Sequence, residues 1–250
     1  MPKFKEVRAI ELNTIYNEDC LEGMKRIPDK SIDMILCDLP YGTTACKWDE
    51  IIPFEPLWEQ YERVIKDSGA IILTASQPFT SALVMSKPKW FKYTWVWEKS
   101  RAANGIIARH QPLKYHEDVL VFGKGRVTYN PQGVIRVNEE ASQGGISSDI
   151  KGNQKRDRKY IKKFTNYPST IQPFKSEGKT VHPTQKPVPL FEYLIKTYTN
   201  EGDTVLDNCM GSGTTAIAAI NTNRNFIGFE LDETYYNLSL QRIAEVKICN

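Results

Sequence analysis

At 250 residues, 40% apolar and 25% charged, the chain has the composition of an ordinary globular protein with one large domain or two small ones. No run reaches the roughly 18 apolar residues of a bilayer-spanning helix, and the opening MPKFKEVRAIELN lacks an apolar signal-peptide core, so a cytoplasmic protein with no membrane partner is expected. The formal charge is +3, and five cysteines without a CxxC pair argue against both a disulfide framework and a zinc site.

In chain order, β-rich apolar runs are expected to form strands at 14–17 (TIYN), 33–37 (DMILC), 70–75 (AIILTA), 93–98 (YTWVWE), 118–123 (DVLVFG), 204–207 (TVLD) and 226–230 (FIGFE). Helical patterns fall between them at 56–67 (PLWEQYERVIKD), 189–200 (PLFEYLIKTYTN) and 214–223 (TTAIAAINTN). An amphipathic run, ETYYNLSLQRIAEV, follows Asp232, which reads as a helix N-cap. Strands alternating with helices indicate an α/β fold with a mainly parallel sheet. From about 125 to 180 the rhythm breaks into a polar stretch without clear period, expected to be an inserted arm or subdomain.

That stretch contains KGNQKRDRKYIKK, Lys151 to Lys163, with seven Lys or Arg against Asp157. Its local charge of +6 leaves the rest of the chain at −3. Concentrated basicity suits a polyanion partner, although a solvated loop would carry the same charges. His110, His116 and His182 are scattered and read as polar or surface groups rather than metal ligands.

Two stretches carry chemistry. CDLPYGTT, Cys37 to Thr44, ends an apolar run on Asp38, Leu39, Pro40 and Tyr41, where Pro40 restricts Leu39 to an extended conformation. A bare turn would also use these residues. TVLDNCMGSGTTAIAAI, Thr204 to Ile220, is a strand, a turn with Gly211 and Gly213, and a small-residue helix. Such a turn brings backbone N–H groups to a ligand at a helix start, where the dipole favours a carboxylate or phosphate. Thr214 and Thr215 follow Gly213, so this is not the GxGxxG fingerprint, and a plain βα connection would use glycines too. Glu230, ending the next strand, can accept from both hydroxyls of a ribose. Turn and acid together suggest a nucleoside with a small charged tail.

Jointly, these stretches resemble the S-adenosylmethionine-dependent amino-methyltransferases of DNA. The family's Asp-Pro-Pro-Tyr tetrad is matched by Asp38 to Tyr41, with Leu39 in place of the usual second proline, and its cofactor turn by Asp207 to Thr215. NEDCLEGM, Asn17 to Met24, precedes the tetrad, and HPTQKP, His182 to Pro187, precedes the turn. The tetrad comes about 170 residues before the turn, which is similar to the permuted class called β. The resemblance implies a Rossmann-like methyltransferase fold, with a mixed, mainly parallel twisted sheet flanked by helices and permuted motif order. It divides the chain into a catalytic half (1–124), a basic target-recognition insert (125–180) and a cofactor-binding half (181–250).

The implied activity is methyl transfer from S-adenosylmethionine to the N6 amine of a flipped-out adenine, chosen because the tetrad begins with Asp rather than Ser. Cytosine N4 is the alternative target, and a catalytically idle DNA-binding protein of the same fold is the alternative from another class. Asp38, Leu39, Pro40 and Tyr41 are the implied catalytic residues. An exocyclic amine is a poor nucleophile; Asp38, accepting from one N–H, helps it become tetrahedral, the Leu39 carbonyl accepts from the other, and Tyr41 stacks on the base. The implied cofactor set is Asp19 on the adenine amine with Cys20 beside it, and Glu230 on the ribose. Met210, Gly211, Ser212, Gly213 and Thr214, with Thr184 and Lys186, take the methionine end, where Lys186 pairs with the carboxylate and Asp207 or Asp38 with the amino group. HPTQKP also reads as a helix start marked by prolines.

The substrate implied is double-stranded DNA, bound through Lys99, Arg101, Lys155, Arg156, Arg158 and Lys159. Aromatics in YTWVWEKSRAANG, 93–105, are candidates to line the opening, although core packing is the expectation for at least one of Trp95 and Trp97. No metal is required. The resemblance also admits a homodimer and a cognate restriction endonuclease as partners.

Overall fold

The computed structural model describes residues 9–43, 49–143, 158–176 and 185–249. The chain divides into two compact units, Met1–Asn130 with Thr170–Asn250, and Pro131–Ser169. The first unit holds an eight-stranded sheet. Its strands are β1 (Thr14–Tyr16), β2 (Ile32–Cys37), β3 (Ile65–Ala75), β4 (Phe91–Lys99), β5 (His116–Phe122), β8 (Ile171–Phe174), β9 (Thr204–Asp207) and β10 (Asn225–Phe229). They lie in the order β1-β10-β9-β2-β3-β5-β4-β8. Pairing is parallel from β1 through β3, β5 runs antiparallel to both β3 and β4, and β8 returns parallel to β4.

The helices are α1 (Cys20–Met24), α2 (Phe54–Val64), α3 (Phe79–Ser86), α4 (Val188–Tyr198), α5 (Thr214–Asn221) and α6 (Glu233–Cys249). Strand alternation sorts the core into two layers. Met34 and Leu36 of β2 pack with Leu190 and Leu194 of α4, Ile217 of α5 and Ile243 of α6. Ile35 and Cys37 pack on the other face with Met24 of α1, Trp58 and Tyr61 of α2, and Leu83 of α3. Central strands buried on both faces read as continuous apolar runs, which is why DMILC and AIILTA stand out in the sequence.

The pairing that positions the site is β2 with β9, Met34 to Val205 and Ile35 to Leu206. It sets the carboxyl ends of these two strands side by side. In open α/β sheets that is where ligands bind.

One expected boundary changes. The helix expected through residue 67 stops at Val64, because Ile65 pairs with Ile32 and is fully buried at the start of β3. The core packing expected of at least one of Trp95 and Trp97 holds for both, their indole N–H groups donating to the Tyr198 hydroxyl at 2.6 Å and the Phe174 carbonyl at 2.9 Å. Within the polar stretch, in the second unit, β6 (Ile135–Gln143) and β7 (Arg158–Thr165) form an antiparallel ribbon with Arg136 opposite Phe164 and Glu139 opposite Lys162. Polar residues fall on both faces of this ribbon, so no alternation marks it. β8 belongs to the main sheet, where its Pro173 is tolerated because β8 is an edge strand.

Candidate active site

The tetrad leaves the end of β2 and is held from below and from the side. Leu39 is 3% exposed and packs in the core beneath the sheet end, so burial anchors the position where proline is usual. Asp49 receives the Gly42 and Thr43 amides, each at 2.9 Å, and so fixes the turn that follows Tyr41. The Tyr41 ring stacks on Phe79 at 5.1 Å, and its hydroxyl donates to Asp38 Oδ1 at 2.7 Å. Thr74, at the end of β3, also donates to Oδ1.

Asp38 Oδ2 accepts from Lys186 Nζ at 2.5 Å. Lys186 is buried and reaches Glu117 Oε2 at 3.4 Å, while Lys99 pairs with Glu117 Oε1. Burial opposes the charge on Lys186, but Asp38 and Glu117 outweigh it and hold its pKa above the ordinary lysine value. Burial likewise opposes ionisation of Glu117, and Lys186 and Lys99 together hold its carboxyl below the usual range. Two partly buried carboxylates, the partly buried Lys99 and the buried Lys186 therefore compensate one another, as charge withdrawn from water requires.

The network involves two residues expected at the site. The Lys99 side chain is 12% exposed, with its ammonium over the Trp97 ring and against Glu117. Lys186 pairs with both Asp38 and Glu117. Glu117 and Thr74 have no local sequence signal; only the strand order brings them to Asp38.

The glycine turn follows β9. Gly211 and Gly213 have φ of +55° and +84°, and Gly213 starts α5. Glu230 Oε2 accepts from the Gly211 amide at 2.7 Å and Oε1 from the Asp232 amide at 2.9 Å, so the acid shapes the turn as well as facing it. Burial raises the Glu230 pKa. Asp207 Oδ1 accepts from the Cys209 amide at 3.0 Å and Oδ2 from the Thr215 hydroxyl. Arg242 of α6 donates to the Ser212 carbonyl at 2.5 Å and hydroxyl at 2.9 Å. Asn208, inside the expected cofactor turn, accepts from the Tyr61 hydroxyl at 2.5 Å and approaches Cys20 Sγ at 3.6 Å.

Asp19 is the N-cap of α1, its Oδ1 accepting the Leu21 and Glu22 amides at 2.9 and 3.1 Å. Asp232 caps α6 as expected, accepting from Thr234 and Tyr235 amides. Pro187 stands at the N-cap of α4, so the end of HPTQKP is a helix start. A hydrogen bond with Cys209 and burial keep the Cys20 thiol well above its ordinary pKa, and burial pushes Cys37 to about 12, so both are neutral. Thr184, Lys155 and Arg156 lie outside the described residues, and Arg158 is described only as a position on β7. Lys159 is exposed on β7, and Arg101 is exposed beside the cavity. Among the described residues no cluster of three His, Cys, Asp or Glu could hold a metal, and no helix is long and apolar enough to cross a membrane.

One cavity of about 930 Å³ is lined by Asp19, Cys20, Asp38 to Tyr41, Lys186, Asp207, Met210 to Ser212, Thr214 and Glu230. Its size suits a nucleoside cofactor together with a base, given the roughly 300–1,000 Å³ of ordinary ligand sites. Carboxylates outnumber cations along its wall, which favours a ligand carrying positive charge. S-adenosylmethionine, with a sulfonium, an ammonium and one carboxylate, meets that requirement. The Ser176 hydroxyl and Gln185 Oε1 are buried at this cavity without a hydrogen-bond partner among the described residues.

A sheet whose switch point sets an acidic corner against a glycine turn is the framework of a group-transfer enzyme with a nucleoside cofactor. The chain matches the DNA methylase model of N6 and N4 amino-methyltransferases over residues 32–241, and it belongs to that S-adenosylmethionine-dependent family. It is 29% identical to the type II methyltransferase M1.MboII of Moraxella bovis, covering 91% of this chain and 95% of the relative. It is also 29% identical to the DNA adenine methyltransferase YhdJ of Escherichia coli (strain K12), over 93% and 83%. The crystal structure of the M1.HpyAVI–SAM complex aligns with TM-score 0.63 at 26% identity, covering 92% of this chain and 98% of that one. The PvuII cytosine-N4-specific DNA methyltransferase shares the fold, with TM-score 0.66 at 15% identity over 95% and 92%. The expected family and fold class stand.

Proposed function

We propose that this protein methylates the N6 amine of adenine in double-stranded DNA, with the target base extruded from the helix. The observation that carries this reading is that Asp38 and Tyr41 line the same cavity as the Met210–Gly211 turn and Glu230. The tetrad's leading Asp and the description of YhdJ as an adenine methyltransferase support adenine. A base in a duplex cannot reach such a cavity, which is why extrusion is part of the reading.

S-adenosylmethionine, when bound, supplies an electrophilic methyl group on a sulfonium. Asp38 acts on the other partner. Tyr41, Thr74 and Lys186 occupy three of the roughly four acceptor positions of its carboxylate, leaving one for an amine N–H. Taking that hydrogen bond localises the nitrogen lone pair and stabilises positive charge that develops on the amine. The Leu39 carbonyl takes the second N–H, and the Tyr41 ring, backed by Phe79, provides a flat face for the base. Glu230 holds the ribose and Asp207 orders the turn through Thr215 and Cys209. Arg101, Lys155, Arg156, Arg158 and Lys159 contact phosphate. The type II relatives support a cognate restriction endonuclease and a cytoplasmic setting.

Incubation with duplex DNA and labelled S-adenosylmethionine, followed by digestion and mass spectrometry of the nucleosides, tests the reading. Label in 6-methyladenine is expected, and Asp38→Ala should lower transfer by at least about a hundredfold. Label in 4-methylcytosine would move the target to cytosine, and DNA binding without transfer would leave an idle DNA-binding protein.

A further inference from the structure

Between β4 and β5 the chain leaves the sheet at the cavity and returns 16 residues later, over 100–115. Lys99, Arg101, Ala102 and Ala103 at its departing end line the cavity wall. The neck is fixed: the Ala103 amide donates to the Lys114 carbonyl at 3.0 Å, and Asn104 bridges across, accepting from the Lys114 amide at 2.7 Å and donating to the Pro112 carbonyl at 2.9 Å. Above the neck, a 3-10 turn at Gly105–Ile107 continues into bonds from His110 and Gln111 to the Ile107 carbonyl, at 2.9 and 3.3 Å.

This braced arch presents its side chains to solvent from Gly105 through Leu113. Ile106 is fully exposed, and Ile107, Leu113 and Tyr115 are each more than 40% exposed. Single exposed apolar residues need no explanation, but an apolar group on a loop braced at its neck, with Arg101, Arg109 and His110 exposed on the same loop, does. The pattern matches what a base stack presents: an apolar interior between two rows of phosphate. Minor-groove and architectural proteins kink DNA by pushing Ile, Leu, Phe or Met between base steps.

We propose that Ile106 is a wedge that enters the base stack where the target base leaves, while Arg101 and Arg109 hold the flanking phosphates. The inference rests on the proposed extrusion. It assigns the arch the work of keeping the vacated gap filled, so that the base stays in the cavity instead of restacking.

The methylated site is first located by modified-base sequencing of DNA treated with the wild-type protein. Two synthetic duplexes carrying that site are then compared, one fully paired and one with the target base opposite an abasic position, where extrusion costs little. Ile106→Ala should methylate the paired duplex about tenfold more slowly than wild type and the abasic duplex at the wild-type rate. Ile106→Leu, which keeps an apolar wedge, should match wild type on both. Because Ile106 touches solvent, unchanged thermal midpoints should accompany both substitutions.

Equal rates for Ile106→Ala and wild type on the paired duplex would overturn the wedge while leaving the methyltransferase reading intact. Equal slowing on both duplexes would also overturn it and turn the arch into a holding contact; a changed sedimentation coefficient would assign it to a second copy of the chain. Wild-type protein that labels no DNA would remove the reading on which the wedge rests.

Discussion

Asp207 shows how far a single carboxyl is governed by its surroundings. It is 3% exposed at the end of β9, and burial, only partly offset by the Thr215 and Cys209 hydrogen bonds, pushes its pKa up to about 6 from an ordinary 3.8. A carboxyl whose folded value lies above its unfolded value binds its proton more tightly when folded. Its burial cost is therefore absent below about pH 4, grows as pH rises, and is complete above about pH 6, where it amounts to roughly 3 kcal/mol. Asp207→Asn removes this titration while every other group remains. Urea midpoints measured from pH 4 to 7 should show wild type losing stability relative to Asp207→Asn as pH rises, and parallel curves would reject the shifted carboxyl. Asp38, Tyr41 and Glu230 were legible because each follows an apolar run closely within a short motif. Glu117 and Thr74 were not, since their importance lies in what distant strands set beside them. For Lys99 and Lys186 the charge was legible, but the Glu117 carboxylate that both of them meet was not.

At the scale of elements, the start of α5 depends on backbone geometry that only glycine accepts easily. Gly213 has φ +84°, and a Cβ there would lie 3.0 Å from Ser239 Cβ and 3.2 Å from Ser239 Cα of α6. Gly202 has the same φ with nothing within 4 Å of such a Cβ. Gly202→Ala should therefore cost about 1 kcal/mol of strain alone, and Gly213→Ala about 2 kcal/mol or more, with weaker cofactor affinity. Chemical denaturation and calorimetric titration with S-adenosylmethionine check both, and equal costs at the two positions would dismiss the contact with α6. The same elements explain what the sequence disclosed. Strands covered by helices on both faces appear as unbroken apolar runs, whereas β6, β7 and β8 carry mixed residues at exposed or edge positions and leave no periodic trace. The helix over Phe54–Val64 was legible, but its end was not, because Ile65 is claimed by a partner strand rather than by any local stop signal.

For the whole molecule, the small net charge conceals an uneven distribution. Lys159, Lys162 and Lys163 lie together on β7 in a chain whose formal charge is only +3. If they meet phosphate, replacing all three by alanine should lower the slope of log affinity against log salt by about 2 to 3 and weaken binding at every DNA sequence alike. Fluorescence anisotropy across salt concentrations would show it, and an unchanged slope would place the DNA elsewhere. The permuted motif order was legible; the path that unites the motifs was not, because strand pairing over such separations has no local signature. That path bears on synthesis. Met34 and Ile35 emerge from the ribosome about 170 residues before Val205 and Leu206, the partners that cover their open edge. At roughly 5–20 residues per second this is on the order of ten to thirty seconds. For that interval the nascent polypeptide carries a naked apolar strand margin, the kind of surface that recruits chaperones or, without them, neighbouring chains.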